Sequence, residues 1–291
     1  MTAFPGSFIA VDWGTTNRRV FRIENGTVVA TSRDGQGVTS LAPDTYPAEI
    51  AAIRARFGDL PILLAGMVGS TIGWREVPYV TAPAGFAALA EGLGWIDART
   101  AIVPGVSLLT DSHADVMRGE EVQLLGAVAA GMAPADSLLC QPGTHCKWVR
   151  MAGGEIADFT TAMTGELFAL LRGHGLLAAQ LTADVTPGSA FREGVEAGKA
   201  RDLAASLFGI RAAKLLGRRD DTDAASYASG LLIGSDVAAR AGASGDVHVL
   251  ADPALGELYA IAIAANGGAA HIVDSHAAFV AGIITLGQHI T

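Results

Sequence analysis

The sequence contains one pattern twice, and this repeat constrains the fold more than any other feature. In residues 8–23, an apolar run that contains Asp12 leads into a glycine and two threonines and then into a second extended run. Residues 137–149 repeat the order of an apolar run, a Gly-Thr pair and a second run entered through a basic residue. Each copy predicts two strands joined by a tight turn that is polar at its tip.

Both copies then pass through a second turn into a third strand. This turn is Asn25-Gly26 in the first copy and Gly153-Gly154 in the second. Asn-Gly between two extended runs is a strong hairpin signal. Two such meanders predict duplicated domains. The length of 291 residues suits two domains of roughly 100 to 200 residues each.

The remainder of the chain alternates between helical and extended patterns, so we expect an α/β fold with mixed sheets. We place the two domains at residues 1–108 and 109–291. The predicted helices are 47–57, 84–93, 190–208 and 224–241, with two more that begin at Glu120 and after a capping Thr164. The predicted later strands are 61–65, 101–103, 247–250 and 270–273.

The composition narrows the classes of partner. Half of the residues are hydrophobic and 17% are charged, which provides a sizeable core and argues against disorder. The net charge of −9 and the lack of a basic run disfavour nucleic acid and anionic membranes. Cys140 and Cys146 lack a metal-ligand pattern, so we expect reduced thiols in a cytoplasmic protein.

The first tight turn has residues suited to phosphate. Gly14 lets the backbone approach a ligand, and Thr15 and Thr16 add hydroxyl donors. Asp12 could hold a hydrated Mg²⁺ on the phosphates. Taken alone, a hairpin with an ordinary polar turn explains these residues equally well.

Two further segments carry groups suited to a small-molecule site. The glycine-rich loop, residues 67–80, includes Trp74 and Arg75 and suits hydrogen bonding to a polyol, although a surface loop with one packed tryptophan is the alternative. Glu120 and Glu121 fall in the first turn of an amphipathic helix, where the helix dipole alone could explain acidic residues.

Residues 12–19, Asp-x-Gly-Thr-Thr-Asn-x-Arg, resemble the first phosphate motif of the superfamily of sugar kinases, heat-shock ATPases and actin. Gly143-Thr144 lies where its second phosphate motif is expected. More narrowly, the chain resembles the 2-dehydro-3-deoxygalactonokinase family. The segments that carry this resemblance are 66–70, 73–74, 78–79, 117–121, 142–149, 163–167 and 229–234.

The resemblance implies two ribonuclease H-like domains of the actin-like ATPase type, with helices on mixed sheets and the active site in the interdomain cleft. It implies transfer of the γ-phosphoryl group of ATP, with Mg²⁺, to the 6-hydroxyl of 2-dehydro-3-deoxy-D-galactonate in galactonate catabolism. The partners are then the sugar acid and ATP, and a homodimer is left open. Phosphoryl transfer depends on positioning and charge neutralisation, which two phosphate loops can supply.

The resemblance also implies roles for individual residues. Glu120 stands where related kinases have the Asp that acts as general base, and Glu121 and Asp115 are the alternative bases. Glu121 cannot face the same way, because neighbours on a helix point about 100° apart; we expect it to be a helix-start charge, a supporting partner or a metal contact. The expected phosphate contacts are Gly14, Thr15, Thr16, Asn17, Arg19, Gly143, Thr144, His145 and Lys147. The expected substrate contacts are Ser70, Trp74, Arg75, Tyr79 and Arg118, with Arg75 the first candidate for the sugar carboxylate.

One position departs from the superfamily pattern. Asp252 stands where a glycine that contacts the adenosine is expected, which puts that contact in doubt. A kinase for another sugar acid, an ATPase or phosphatase of the superfamily, and a regulatory protein without the chemistry therefore stay open. P-loop and Rossmann sites have no motif to rest on.

Overall fold

The computed structural model describes residue 4 and residues 6–242 and 245–290. Helices and strands alternate along these residues. The strands are β1 Ser7–Trp13, β2 Arg18–Glu24, β3 Thr27–Asp34, β4 Ile62–Ala65, β5 Val80–Thr81, β6 Gly94–Asp97, β7 Thr100–Ile102, β8 Val106–Leu109, β9 Ala114–Met117, β10 Ser137–Gln141, β11 Cys146–Ala152, β12 Glu155–Ala162, β13 Asp246–Leu250 and β14 Ala269–Val273. The helices are α1 Tyr46–Phe57, α2 Phe86–Glu91, α3 Glu120–Ala129, α4 Thr164–Gly173, α5 Ser189–Gly198, α6 Leu203–Leu215, α7 Asp221–Arg240, α8 Pro253–Ala265 and α9 Ser275–His289. None of these helices combines the length and apolar character that crossing a membrane requires.

Two of the sheets in the described part of the chain share one topology. The six-stranded sheet has the order β3-β2-β1-β4-β7-β6, and the five-stranded sheet has the order β12-β11-β10-β13-β14. In the first, β1 pairs antiparallel with β2 and parallel with β4. In the second, β10 pairs parallel with β13. The repeated meander and the mixed-sheet α/β class are therefore confirmed.

The chain divides into two compact units. Unit 1 contains the described residues up to 136 together with 151–159 and 275–290, and unit 2 contains 137–150 with the described residues of 160–274. Trp13 and Tyr46 belong to the core of unit 1, and Phe191 and Tyr259 to that of unit 2. These units differ from the ranges 1–108 and 109–291, because α3 and α9 pack in unit 1. The functional domain assignment stays a prediction.

The second turns of the two meanders adopt the predicted hairpin geometry. Asn25 and Gly26 have φ angles of 49° and 76°, and Gly153 and Gly154 have φ angles of 58° and 84°. A two-residue hairpin turn of type I′ requires a positive φ at both of its central residues.

Two expectations about local structure were wrong. The predicted helix 190–208 is two helices, because the chain turns at Arg201, with φ 56°, and α6 then begins behind Asp202, whose side chain accepts from the Ala205 N–H at 3.4 Å. Thr164 does not cap α4: it is the first helical residue, and its hydroxyl donates to Asp236 at 2.9 Å.

Helices α3 and α9 approach each other closely in unit 1. Gly282 of α9 has no side chain, and a Cβ there would overlap the carbonyl oxygen of Val122 in α3. Gly126 of α3 likewise approaches the backbone of α9. Since α3 begins at Glu120, this contact fixes the axis of the helix that carries the predicted base.

We expect Gly282→Ala to destabilise the protein by about 1–3 kcal/mol, because the added methyl group forces the two helix backbones apart. The matched control is Gly209→Ala in α6, where an added Cβ meets nothing within 4 Å. That change should raise stability by up to about 1 kcal/mol through helix propensity. Melting temperatures would measure both, and equal stabilisation by the two changes would contradict the close packing of α3 and α9.

Candidate active site

Three backbone segments of unit 1 meet at the end of β1. Gly66 follows β4 and has φ 98°, and a Cβ there would lie 2.8 Å from the carbonyl oxygen of Trp13. Gly119 precedes α3 and has φ 107°, and its Cβ would lie 3.1 Å from the Cα of Gly66. Both positions need glycine, since other residues avoid this φ and their side chains would clash. The contact brings Asp12, next to Trp13, and Glu120, next to Gly119, into one region.

Asp12 lies among charged groups. Its side chain is 19% exposed, and its Oδ2 is 3.5 Å from Nη1 of Arg19, the residue opposite it on β2. Burial raises the pKa of Asp12, and the charge of Glu120 raises it further, while Arg19 and His276 oppose the shift. The ionised form of Asp12 would therefore gain from another cation nearby.

The two carboxylates at the start of α3 have different environments. Glu120 is half-buried, and its Oε2 accepts the backbone N–H of Arg118 at 3.0 Å. Glu121 is fully buried, and its Oε2 accepts the backbone N–H of Gly119 at 2.6 Å. Its Oε1 has no hydrogen-bond partner among the described residues. The two carboxylates therefore accept from adjacent backbone amides but differ in their burial.

The burial of Glu121 also determines its charge. Desolvation, and secondly the negative charge of Glu120, raise the pKa of Glu121 to about 8. The carboxyl group is then mostly protonated at neutral pH, so a metal contact by Glu121 has no support in this geometry. The other candidate base, Asp115, lies on β9 with its Oδ2 3.5 Å from Nε2 of His113.

The first phosphate loop is held by its own backbone and by residues 37–39. The N–H of Gly14 donates to the carbonyl of Asn17 at 2.9 Å, and the N–H of Val38 donates to the carbonyl of Gly14 at 3.0 Å. The Thr39 hydroxyl donates to the carbonyl of Thr15 at 2.8 Å. Thr15, Thr16 and Asn17 are exposed, so their side chains are accessible to a ligand.

The basic residues that match between the two copies of the repeat are both buried. Arg18 donates to Asp34 at 2.9 Å and to Glu49 at 2.7 Å. Lys147 is 5% exposed, and its Nζ donates to the hydroxyl of Thr161 at 2.8 Å. Both side chains make contacts inside their units, so the predicted phosphate contact of Lys147 gains no support and stays a prediction.

The second phosphate loop, residues 142–145, packs against the start of α4. The N–H of Glu166 donates to the carbonyl of Thr144 at 2.9 Å. A Cβ at Gly165 would overlap the carbonyl oxygen of Gly143, so only glycine permits this approach. The Nε2 of His145 lies 2.6 Å from Oε2 of Glu166, and that pair holds the imidazole at the loop.

The buried carboxylate of Asp236 accepts a hydrogen bond from the first residue of α4. Asp236 of α7 accepts hydrogen bonds from Thr164 Oγ1 at 2.9 Å, Trp148 Nε1 at 3.1 Å and Arg240 Nη1 at 2.7 Å. These bonds join α4, β11 and α7. Sequence reasoning missed Asp236, although an acidic residue within the apolar stretch of a helix was a signal.

Two cavities of unit 2 lie beside the start of α4, and both are lined by Thr164 and Leu232. The smaller, of about 100 Å³, is bordered by Gly143 and Leu255, and the larger has a volume of about 700 Å³. Asp252 precedes α8, and its side chain accepts the N–H of Leu255 at 3.0 Å. The departure from glycine is thus explained as a helix cap, which is a common use of Asp.

The predicted substrate residues each make contacts within unit 1. Trp74 stacks on Tyr46, with ring centroids 5.5 Å apart, and the Ser70 hydroxyl donates to the carbonyl of Met67 at 2.7 Å. Arg75 is exposed and donates to the carbonyl of Trp95 at 3.0 Å. Tyr79 and Arg118 are in contact: the guanidinium carbon of Arg118 lies 4.3 Å from the centroid of the Tyr79 ring.

One residue near Asp12 was missed from the sequence. His276, in the first turn of α9, is near enough to lower the pKa of Asp12. The signal was a histidine directly after the turn that follows β14. Cys140 and Cys146 are free and buried, with sulfur atoms 3.6 Å apart, which agrees with the expectation of unbridged thiols.

The raised pKa of Glu121 predicts a pH dependence of stability. The folded protein keeps the proton up to a pH of about 8, whereas the unfolded chain loses it near 4.5. The stabilisation from the protonated Glu121 carboxyl is therefore complete below pH 4.5, and it is lost as the pH rises to about 8. The loss is about 1.4 kcal/mol per pH unit within that window.

Glu121→Gln removes this ionisation, so its stability relative to the wild type should increase from pH 5 to pH 8. Urea unfolding at the two pH values would measure the difference. Glu91→Gln, at an exposed end of α2, is the matched control and should follow the wild type. Parallel pH curves for Glu121→Gln and the wild type would contradict the buried, protonated state.

Comparisons with known proteins identify the family of this chain. A model of the family described as 2-keto-3-deoxy-galactonokinase matches residues 12–286. A 2-dehydro-3-deoxygalactonokinase of Escherichia coli (strain K12) is 36% identical over 97% of this chain and 98% of its own. The crystal structure of a Sinorhizobium meliloti protein assigned to the same kinase has a TM-score of 0.89 at 36% identity, and covers 97% of this chain and 96% of its own.

A more distant solved structure concerns the fold alone. The activator of 2-hydroxyisocaproyl-CoA dehydratase from Clostridium difficile has a TM-score of 0.51 at 9% identity, covering 98% of this chain and 95% of its own. The mixed-sheet α/β fold expected from the sequence is thereby confirmed. The match to the family model spans nearly the whole chain, and the chain therefore belongs to the 2-keto-3-deoxy-galactonokinase family.

Proposed function

We propose that this protein transfers the γ-phosphoryl group of ATP to the 6-hydroxyl of 2-dehydro-3-deoxy-D-galactonate in galactonate catabolism. Membership of the kinase family supports the substrate class. The observation that carries the chemistry is the contact of Gly66 with Gly119 beside Trp13, which brings Asp12 and Glu120 into one region of unit 1.

Glu120 is the proposed general base. Its carboxylate is half-buried, and the N–H of Arg118 orients it at the start of α3. Glu121 cannot compete for this role at neutral pH, since its carboxyl is buried and protonated. The base accepts the proton as the hydroxyl oxygen attacks the phosphoryl group.

Asp12 is the proposed metal-holding group. No set of three His, Cys, Asp or Glu residues suited to a metal occurs in the described parts of the chain. Mg²⁺ commonly binds through one or two carboxylates together with water and substrate phosphates, and the single carboxylate of Asp12 fits that pattern. When bound, Mg²⁺ neutralises charge on the phosphates.

Unit 2 supplies the proposed nucleotide contacts. Gly143, Thr144 and His145 form a loop that packing against α4 holds in place. Of the two neighbouring cavities, the larger, of about 700 Å³, gives room for a nucleoside. Thr15, Thr16, Asn17 and Arg19 are the corresponding proposed groups of unit 1. Asp252 caps α8, so the adenosine would rest on apolar lining such as Leu232 and not on a glycine turn.

An assay of ADP release against a panel of sugar acids tests this function. Turnover that requires 2-dehydro-3-deoxy-D-galactonate supports the proposed function, whereas a preference for another sugar acid would identify that acid as the substrate. Turnover without any sugar indicates an ATPase. ATP binding without turnover indicates a regulatory protein.

We expect Glu120→Gln to lower kcat by about 10²- to 10⁴-fold with little change in ATP affinity, because the amide cannot accept the proton. Steady-state kinetics and a separate ATP-binding titration would measure this. Glu91→Gln makes the same chemical change at an exposed site and should keep wild-type kinetics. A larger loss in Asp115→Asn would assign the base to that residue.

We expect Asp12→Asn to remove most turnover, because the amide keeps the size of the side chain and loses the charge that attracts Mg²⁺. The Mg²⁺ concentration needed for half-maximal ATP binding should rise, which provides a readout apart from activity. Asp44→Asn, at an exposed position, is the control. Near-normal turnover of Asp12→Asn at limiting Mg²⁺ would refute the assignment.

A further inference from the structure

We propose that Arg118 is a positioning residue that fastens the glycine-rich loop, residues 67–80, to the backbone that orients Glu120. The inference rests on the proposed function, since it takes Glu120 as the base and this loop as part of the sugar site. The family resemblance implies that Arg118 contacts the substrate directly. Its surroundings in unit 1 favour a role exerted through its neighbours.

The guanidinium of Arg118 is enclosed by the glycine-rich loop. The side chain is 8% exposed, and its Nη2 donates to the carbonyl of Val77 at 2.7 Å. Its face covers the ring of Tyr79 at 4.3 Å. On another side, a Cβ at Gly69 would come within 2.8 Å of Nη1, so the loop backbone approaches the cation closely. One side chain thus contacts both the beginning and the end of the loop.

Backbone hydrogen bonds join the two ends of the glycine-rich loop next to the Arg118 side chain. The N–H of Val77 donates to the carbonyl of Gly69 at 3.0 Å, and the N–H of Trp74 donates to the carbonyl of Val68 at 2.9 Å. These bonds bring the two ends together, and the guanidinium binds beside the Gly69–Val77 contact. Loss of Arg118 would therefore loosen the closure as well as one hydrogen bond.

The backbone of the same residue reaches the base. The N–H of Arg118 donates to Oε2 of Glu120 at 3.0 Å, and the next N–H, of Gly119, donates to Glu121. Tyr79 also packs near this strand end, because a Cβ at Gly105 would lie 2.7 Å from its ring and would overlap the carbonyl of Met117. A shift of the loop would thus move the amide that orients Glu120.

Direct capture of the sugar carboxylate fits Arg118 poorly. Nε and Nη1 are its nitrogens without a protein partner among the described residues, and both are buried. These two nitrogens do not share an edge of the guanidinium, so they cannot form the parallel pair of bonds that a carboxylate prefers. A cation used only to fill space would be costly here, because each buried N–H without a partner destabilises the folded protein. Positioning explains why an arginine stands at this site.

The test compares Arg118→Met and Arg118→Lys with Arg99→Met, a surface arginine of unit 1 that pairs with Asp59. Because a displacement of about 1 Å can cost roughly 10²-fold in rate, we expect both Arg118 variants to lower kcat by about 10- to 100-fold and to raise the KM of the sugar acid. The KM of ATP should stay within about twofold, and Arg99→Met should match the wild type. Lysine keeps the charge but cannot bond Val77 while lying flat on Tyr79, so it should not restore the rate.

Hydrogen exchange of the free protein supplies a readout that does not need turnover. The amides of residues 74 and 77 should exchange faster in both Arg118 variants, and those of the β10–β11 hairpin should not. Tyr79→Leu should produce the same loosening, and combining it with Arg118→Lys should add less than the sum of the two single effects on kcat. If Arg118→Met fails to fold, the lysine variant and the Tyr79→Leu cycle decide the question.

Distinct outcomes separate the alternatives. A raised KM for the sugar acid with unchanged kcat and unchanged exchange would mean a direct substrate contact and overturn the proposal. Wild-type kinetics and exchange in both variants would also overturn it. If the wild type shows no turnover that depends on a sugar acid, the proposed function fails, whereas faster exchange at residues 74 and 77 would still support the fastening role of Arg118.

Discussion

The candidate site depends on the close contact of three backbone segments, at Trp13, Gly66 and Gly119. Since Gly66 and Gly119 both have positive φ and almost no room for a Cβ, the end of β1, the turn after β4 and the start of α3 can meet. Asp12 and Glu120 sit one residue away from this contact. Backbone packing, more stable in position than long side chains, therefore sets the distance between the two carboxylates that phosphoryl transfer would use.

This arrangement concentrates acidic groups in a protein whose net charge is already −9. The structure limits the repulsion in two ways. Glu121 is buried with a pKa raised to about 8, which removes one negative charge at neutral pH. Arg19 and His276 face Asp12 and oppose the rise of its pKa. The remaining charge near Asp12 and Glu120 is suited to attract Mg²⁺, while an anionic sugar acid needs a local cation such as the exposed Arg75.

The sequence predicted the parts of this structure that follow from local patterns. The Asn25-Gly26 turn, the two meanders and the start of α3 at Glu120 depend on periodicity and turn chemistry, and all three are present. Features that depend on contacts between distant segments were not predictable in this way. Lys147 is buried where it donates a hydrogen bond to Thr161. Asp236 accepts hydrogen bonds from Trp148 and Thr164, which are far from it in the sequence. His276 comes near Asp12 because α9 packs on α3. Membership of a family indicates which residues matter, but not which of them are enclosed.

The two copies of the repeat show how one architecture can serve different tasks. Each presents a glycine and a threonine between its first two strands, and in each the matching basic residue is used internally, Arg18 with Asp34 and Lys147 with Thr161. The supports differ: backbone bonds from Val38 hold the first loop, whereas a helix start anchored to a buried carboxylate holds the second. A loop held by the short segment 37–39 can adjust when a ligand binds, while one fixed to α4 is already ordered. Because a preorganised loop loses less entropy on binding, the second loop is the better suited to fix the nucleotide, and the first to respond to it.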